Sequence, residues 1–216
     1  MRLTILYDNE ARPGFGSGWG FSCLVDRGRD RTLFDTGWDG ELLLRNMEEA
    51  GIDPESIERI VLSHPHWDHI GGLSHLPGGS HLFVPASFSK NLRNEMAKRW
   101  QVHEVRGPDE VADGLWTTGE LGGPIKEQSL LVRSSSGIIV LVGCSHPGVP
   151  KILEAARKVG TVKGIVGGMH GFSQYDVLRG LDLIVATHCT ANKKKIAELF
   201  PDKTLRGGAG LRLDVD

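Results

Sequence analysis

The chain has 216 residues, and its 25 Lys plus Arg against 27 Asp plus Glu give a formal net charge of -2. That balance offers no positive field for tracking a phosphate backbone, which excludes nucleic acid as an expected partner. No stretch approaches the ~20 apolar residues a spanning helix requires, and the start MRLTILYDNE lacks the basic and apolar run of a secretory signal, so a soluble, cytoplasmic protein with no membrane contact is expected.

In chain order, residues 3–7, 20–25 and 31–34 read as short strands rich in Leu, Ile, Phe and Val and separated by Gly, Arg and Asp. Residues 38–50 set Leu42, Leu43, Leu44, Met47 and Ala50 at near-helical spacing, and Gly51 stands where a helix C-terminus wants it. Asp53-Pro54 opens a turn that feeds an apolar strand at 59–62. Further on, the pattern predicts a strand at 81–84, a helix at 87–100 and a strand at 102–105, then a hairpin pairing 129–133 with 138–142 about the turn 134–137. The last third alternates helix 150–159, strand 162–166, helix 174–178, strand 183–186, helix 191–199 and strand 211–215. With no Pro- or Ser-rich linker and no short repeat, the expectation is one domain over 1–216, two sheets face to face with helices outside.

Directly after the strand at 59–62, SHPHWDHIGGL sets three histidines and an aspartate within six positions. A lone histidine is more often structural, but a cluster this dense carries a solvation cost unless a cation binds it, and imidazole with carboxylate suits zinc first and also manganese, magnesium or iron. His64 and His66, flanking Pro65, can converge on one ion from an extended loop, while Asp68 and His69 face a second beside it. Three cysteines, Cys23, Cys144 and Cys189, are too few and too odd in number for a disulfide framework, which fits a reducing compartment.

SHPHWDH matches His-x-His-x-Asp-His, and through it the chain resembles the metallo-β-lactamase superfamily. The resemblance implies an α+β fold, a four-layer αββα sandwich with metals at the sheet edges. LFDTG resembles a strand-turn element whose aspartate, here Asp35, supports the metal loop from behind the ligands. YDNE, WGFSCLV, LFDTG, SHPHWDHIGGL, GCSHPG, GGMHG and THCT together resemble the dihydropterin–aminobenzene-ribofuranosyl-phosphate synthase-like branch over nearly the whole chain. Some of its members are implied to join a dihydropterin-methyl diphosphate to a ribosylated aminobenzene phosphate with loss of diphosphate, and many others are metal-dependent hydrolases. Two departures matter. The strand expected to end in a metal-bridging Gly-Asp ends here in Gly143-Cys144-Ser145-His146, and the segment between Gly79 and Trp116 is brief for a substrate-binding cap.

The resemblance implies a two-ion site with His64, His66 and His146 on one ion and Asp68, His69 and His188 on the other, Cys144 being an alternative thiolate ligand in the place of His146. Asp68 and His170 are the expected catalytic groups, the latter between the glycines of GGMHG, and His170 and Trp67 the expected substrate contacts, with Trp19 a second aromatic that serves a pocket or a core equally well. Cys189 is assigned to packing; His75, His81 and His103 to structural or exposed roles; and Lys193 to Lys195 to a solvated helix face. The expected function is hydrolysis of a small phosphate- or carbonyl-ester-type molecule, phosphorylated or pterin-like, with the transferase and a non-catalytic metal-binding domain as alternatives. Oligomeric state is left open.

Overall fold

The computed structural model describes residues 1–123 and 125–215. The first strands, β1 (Arg2–Tyr7), β2 (Ser22–Asp26) and β3 (Arg31–Phe34), lead into helix α1 (Gly40–Ala50), after which come β4 (Arg59–Val61), the short helix α2 (Trp67–Ile70), β5 (His81–Pro85), α3 (Lys90–Met96) and β6 (Gln101–Val105). The second half runs β7 (Asp109–Ala112), β8 (Leu115–Thr117), β9 (Leu130–Arg133), β10 (Ile138–Val142), α4 (Val149–Arg157), β11 (Val162–Gly168), β12 (Leu183–Thr187), α5 (Lys193–Leu199) and β13 (Arg212–Asp214). Among the described residues these strands form one sheet ordered β13-β1-β2-β3-β4-β5-β6 and another ordered β12-β11-β10-β9-β8-β7.

Three apolar layers hold the sheets and helices together. Leu3, Ile5, Phe34, Val61, Leu141, Val166 and Val185 fill the space between the sheets. Leu6, Leu33, Leu43, Met47 and Ile60 join the first sheet to α1, and Val140, Val142, Ile152, Leu153 and Ile196 join the second to α4 and α5. Central strands sandwiched in this way are buried on both faces, which is why β1 and β10 read as near-continuous apolar runs. The result is the four-layer αββα sandwich of the α+β class.

Helix α1 begins where the Asp39 carboxylate accepts from the Glu41 and Leu42 amides and ends at Gly51, whose φ of 73° needs no Cβ penalty. Other elements depart from the sequence reading. The helix expected at 87–100 covers only Lys90–Met96, because Arg99 donates to the Ser74 and Leu76 carbonyls and the Trp100 indole to Pro77, drawing the chain off the helical path. The segment 174–178 makes a single 3-10 turn, Tyr175–Leu178, too brief to gain the cooperativity of an α-helix. Strands β7 and β8, absent from the reading, form a hairpin about Asp113-Gly114. Those strands are short and mixed in polarity, so only the Asp-Gly dipeptide announces them.

Strand direction places the site. β3 and β4 run parallel, as do β10 with β11 and β11 with β12, and β1 shares the direction of β3 because both are antiparallel to β2. The residues just past the carboxyl ends of these strands are Asp8, Asp35, His64, Cys144, His170 and His188. Loops at the carboxyl ends of parallel strands are where open α/β sheets collect ligands.

Candidate metal centre

The loop after β4 carries Ser63 and His64, then His66, in extended backbone, caps α2, whose first turn holds Asp68 and His69. His64 Nε2 lies 3.1 Å from His66 Nδ1, and the His64 and His146 rings are 4.7 Å apart. His64, Cys144 and His146 bring ligand atoms within 4.8 Å of one another, and so do His69, Cys144 and His188. On the second side Asp68 Oδ2 sits 3.3 Å from His188 Nε2 and 3.8 Å from His69 Nε2. Both groups named from the sequence are thus assembled, and Cys144 and His146, weighed as alternatives there, are both present.

His64, His69 and His188 are each gripped from behind. Asp35 is fully buried: Oδ1 accepts the Ser63 amide at 2.7 Å, while Oδ2 accepts the Ser63 hydroxyl at 2.7 Å and lies 2.7 Å from His69 Nδ1. The Ser63 hydroxyl also contacts His64 Nδ1 at 2.8 Å, so the Nε2 atoms of His64 and His69 face inward. Asn9 does the same for His188, with Oδ1 3.0 Å from Nδ1 and its amide donating to the His188 carbonyl at 3.2 Å, while the Asp8 carboxylate accepts the His188 amide at 2.7 Å. Ordering of ring nitrogens by carboxylates and carbonyls behind them is what a metal site requires of its surroundings.

Glu127 performs this work for the second sheet. Buried at 1% exposure, its Oε1 accepts the amides of Gly143, Cys144 and Ser145 and its Oε2 that of His146, pinning the whole turn after β10. The turn also leaves no room: a Cβ on Gly143 would meet the Ser63 hydroxyl at 2.3 Å, and one on Gly168 the Gly143 carbonyl at 2.4 Å. Strain gathers at the same place. Among the described residues the non-glycine positions with positive φ are Asp35, Ser145, His170 and His188, at 56°, 61°, 42° and 47°. Such backbone costs about 1–3 kcal/mol per residue and persists only where the surroundings dictate it, commonly at functional sites.

Burial, reinforced by neighbouring rings, holds His64, His146 and His170 below the ordinary imidazole value, His146 down to about 4. Burial lowers His188 as well, against the opposing pull of Asp68. These rings are neutral at pH 7, the form that binds a metal. Burial also opposes charge on His69, but the Asp35 carboxylate outweighs it and raises the ring. Asp68 is pushed up by burial, yet contact with His188 and the charge of His69 prevail and hold it well below the carboxylate range. Glu127 is raised by burial against the pull of its amide donors.

Two observations test whether these residues suit divalent cations. His146 Nε2 is buried without a hydrogen-bond partner among the described residues, and the buried His188 Nε2 has no conventional hydrogen bond, only the 3.3 Å approach of Asp68 Oδ2; orphaned buried polar atoms of this kind are rare in native proteins. The imidazole, carboxylate and thiol atoms around them form a zinc-type donor set. The residues fit.

Residues 20–140 match the model of the metallo-β-lactamase superfamily. The chain belongs to that superfamily. It is 27% identical over 213 residues to 7,8-dihydropterin-6-methyl-4-(beta-D-ribofuranosyl)-aminobenzene-5'-phosphate synthase of Methanocaldococcus jannaschii, an alignment spanning 72% of each protein. A second protein of that organism, MJ0448, is 25% identical over 235 residues, spanning 88% of this chain and 91% of the relative. The structure of Tm1679, described as a metal-dependent hydrolase of the beta-lactamase superfamily, superposes with a TM-score of 0.84 at 27% identity, covering 100% of this chain and 99% of the other. The branch resemblance seen in the motifs therefore holds, and divalent-metal binding is a property of this fold family.

The remaining sequence assignments fall as follows. His170 is exposed beside the cluster, its ring 4.7 Å from that of His146. Trp67 stands on the α2 rim with 67% exposure, whereas the Trp19 indole donates to Asp68 Oδ2 at 2.9 Å and its ring meets His188 edge-on. Cys189, assigned to packing, instead lies with its sulfur 3.3 Å from that of Cys144 and shares a group with Cys144 and His170. It directly follows the left-handed backbone at His188. His75, His81 and His103 lie outside these groups, the last two 2.9 Å apart across β5 and β6, and Lys193 pairs with Glu10. Glu127 and Asn9 escaped the sequence reading; YDNE was noted only for resemblance, and Glu127 sits in KEQS with no spacing to mark it.

Proposed function

We propose that this chain is a hydrolase with a two-metal centre that acts on a small phosphate- or carbonyl-ester-type substrate. The observation that carries this reading is the pair of donor groups, His64, His66 and His146 on one side and Asp68, His69 and His188 on the other, facing each other across Cys144. Divalent ions there, zinc before manganese, magnesium or iron, would supply Lewis acidity to a substrate oxygen and lower the pKa of water toward neutrality. The protein's own groups then divide the remaining work. The Trp19 indole N–H steadies Asp68 in the orientation that faces His188. Neutral and exposed at the rim, His170 is placed to take a proton from the attacking water and return that same proton to a leaving group. Trp67 offers an open aromatic face to a planar substrate. No helix among the described residues is long and apolar enough to cross a membrane, and a small-molecule substrate met in the cytoplasm suits this arrangement.

Zinc- or manganese-loaded protein is assayed for product release from simple aryl phosphodiesters and carboxyl esters. Release that stops with chelator and with His66→Ala is expected. A second reading is favoured by the synthase name of one relative: joining of a dihydropterin-methyl diphosphate to an aminobenzene acceptor. Diphosphate release that depends on such an acceptor, with no ester cleavage, would replace the hydrolase by that transferase. Absence of any turnover that His66→Ala could diminish would leave a non-catalytic metal-binding domain.

A further inference from the structure

Cys144 is unlike every other residue of the cluster in belonging to all three donor groups found among the described residues: with His64 and His146, with His69 and His188, and with His170 and Cys189. Its sulfur lies 3.2 Å from His69 Nε2 and 3.3 Å from the sulfur of Cys189. The position is imposed rather than chosen by a flexible side chain. Its amide is tied to the buried Glu127 carboxylate at 3.1 Å, the preceding Gly143 is packed against Ser63, and Cys144 itself is buried at 2% exposure. His146 and His188, which share donor groups with it, have buried Nε2 atoms with no conventional hydrogen bond, that of His188 meeting only Asp68 Oδ2 at 3.3 Å. A carboxylate in this place could reach two ions with two oxygens; the residue present has one sulfur.

We propose that Cys144 supplies a single thiolate shared by both metal ions, with Cys189 as the hydrogen-bond donor that positions it. The inference rests on the two-metal reading and deepens it. Each ion then has three donors from its own side plus the common sulfur, and the thiol proton is released to solvent as the cation binds, since a coordinating thiol is deprotonated outright. A soft donor held by both ions turns selectivity toward zinc and cobalt and away from magnesium and manganese, which prefer oxygen. Cys189, half-buried with its sulfur directed at that of Cys144, donates to the remaining lone pair and keeps the sulfur from drifting toward either ion.

The probe is cobalt(II) alone, titrated into full-length protein under a phosphine reductant, with stoichiometry and the near-ultraviolet sulfur-to-cobalt charge-transfer absorption as readouts. Wild type is expected to bind two ions with that absorption present. Cys144→Ser should abolish the absorption and weaken both ions by at least about ten-fold, the lower end of what even an indirect partner of a metal ligand contributes. Cys189→Ser should keep the absorption, shifted in energy, because the donor and not the ligand is gone. Should Cys144→Ser fail to fold by circular dichroism, Cys144→Asp tests the same point and is expected to bind two ions without the sulfur band. Two ions bound with no sulfur band in wild type would overturn the shared thiolate while leaving the two-metal centre intact, as would a Cys144→Ser protein that weakens one ion only. A band lost in Cys189→Ser and kept in Cys144→Ser would transfer the ligand role to Cys189 and overturn the proposal. Failure of wild type to bind cobalt at all would remove the metal centre and the proposal with it.

Discussion

The layer between the two sheets and the loop end of those same sheets are built on opposite principles. Between the sheets Leu3, Ile5, Phe34, Leu141 and Val166 are wholly buried apolar side chains that need nothing but each other. In the turns and the short helix α2 at one end of those sheets, Asp35, Ser63, His64, His69, Glu127 and His188 are nearly as buried and all polar. Burying such groups is unfavourable unless each finds a partner. Carboxylates and serine supply some partners, and the buried Nε2 atoms of His146 and His188 are left without a conventional hydrogen bond. One region makes the molecule stable; the other is held in place by that stability and gathers the metal-type donor groups.

If this division is right, changes in the two regions should register on different instruments. The largest loss of stability is expected from Phe34→Ala, which opens a cavity between the sheets and should lower unfolding free energy by about 3–5 kcal/mol in a denaturant titration. Metal content per folded molecule should not change; a variant that sheds its metal while still folded would break the division. Next comes His66→Ala, which should reduce turnover by on the order of 10³-fold, about 4 kcal/mol of transition-state stabilisation. Its unfolding midpoint in chelator should stay within error of wild type, because His66 is at the rim and only partly buried.

Asp35→Asn is the intermediate case, since the carboxylate touches both the Ser63 loop and His69. It should weaken metal binding by about 10- to 100-fold as read by competition with a chromophoric chelator. An affinity equal to wild type would mean that His69 orients itself without help. The smallest effect is a slope. His146, with its folded value near 4 against an ordinary value of about 6.5, binds its proton more readily when unfolded. In chelator the protein should therefore lose stability as pH falls from about 6.5 toward 4, with no contribution from this ring above that window. His146→Gln should flatten the pH dependence of the denaturation midpoint, and an unchanged slope would assign the titration elsewhere.

The same division explains what could be read from the sequence. Helix α1, the β9–β10 hairpin and the ligands His64, His66, Asp68 and His69 are legible because their signals are local: a 3.6-residue period, a turn between apolar runs, a dense cluster after a strand. Strands β7 and β8 carry no apolar run to distinguish them, and α3 is cut short by Arg99 and Trp100 reaching carbonyls about twenty residues away in sequence. The gripping residues were hidden for a related reason. Asn9 meets His188 across 179 positions, and Glu127 binds amides 16 to 19 positions later in another turn, so nothing nearby in sequence marks either one. The nearness of Cys189 to Cys144 is not legible because a small cysteine at a strand end has the same local signature whether it packs or faces a cluster.

The central claim is that the two donor groups exist to hold cations. The direct test is a crystal of the zinc-loaded protein measured on both sides of the zinc absorption edge. Two anomalous peaks are expected, one among His64, His66 and His146 and the other among Asp68, His69 and His188. A map without such peaks, with the His146 and His188 rings turned away from each other, would contradict the account.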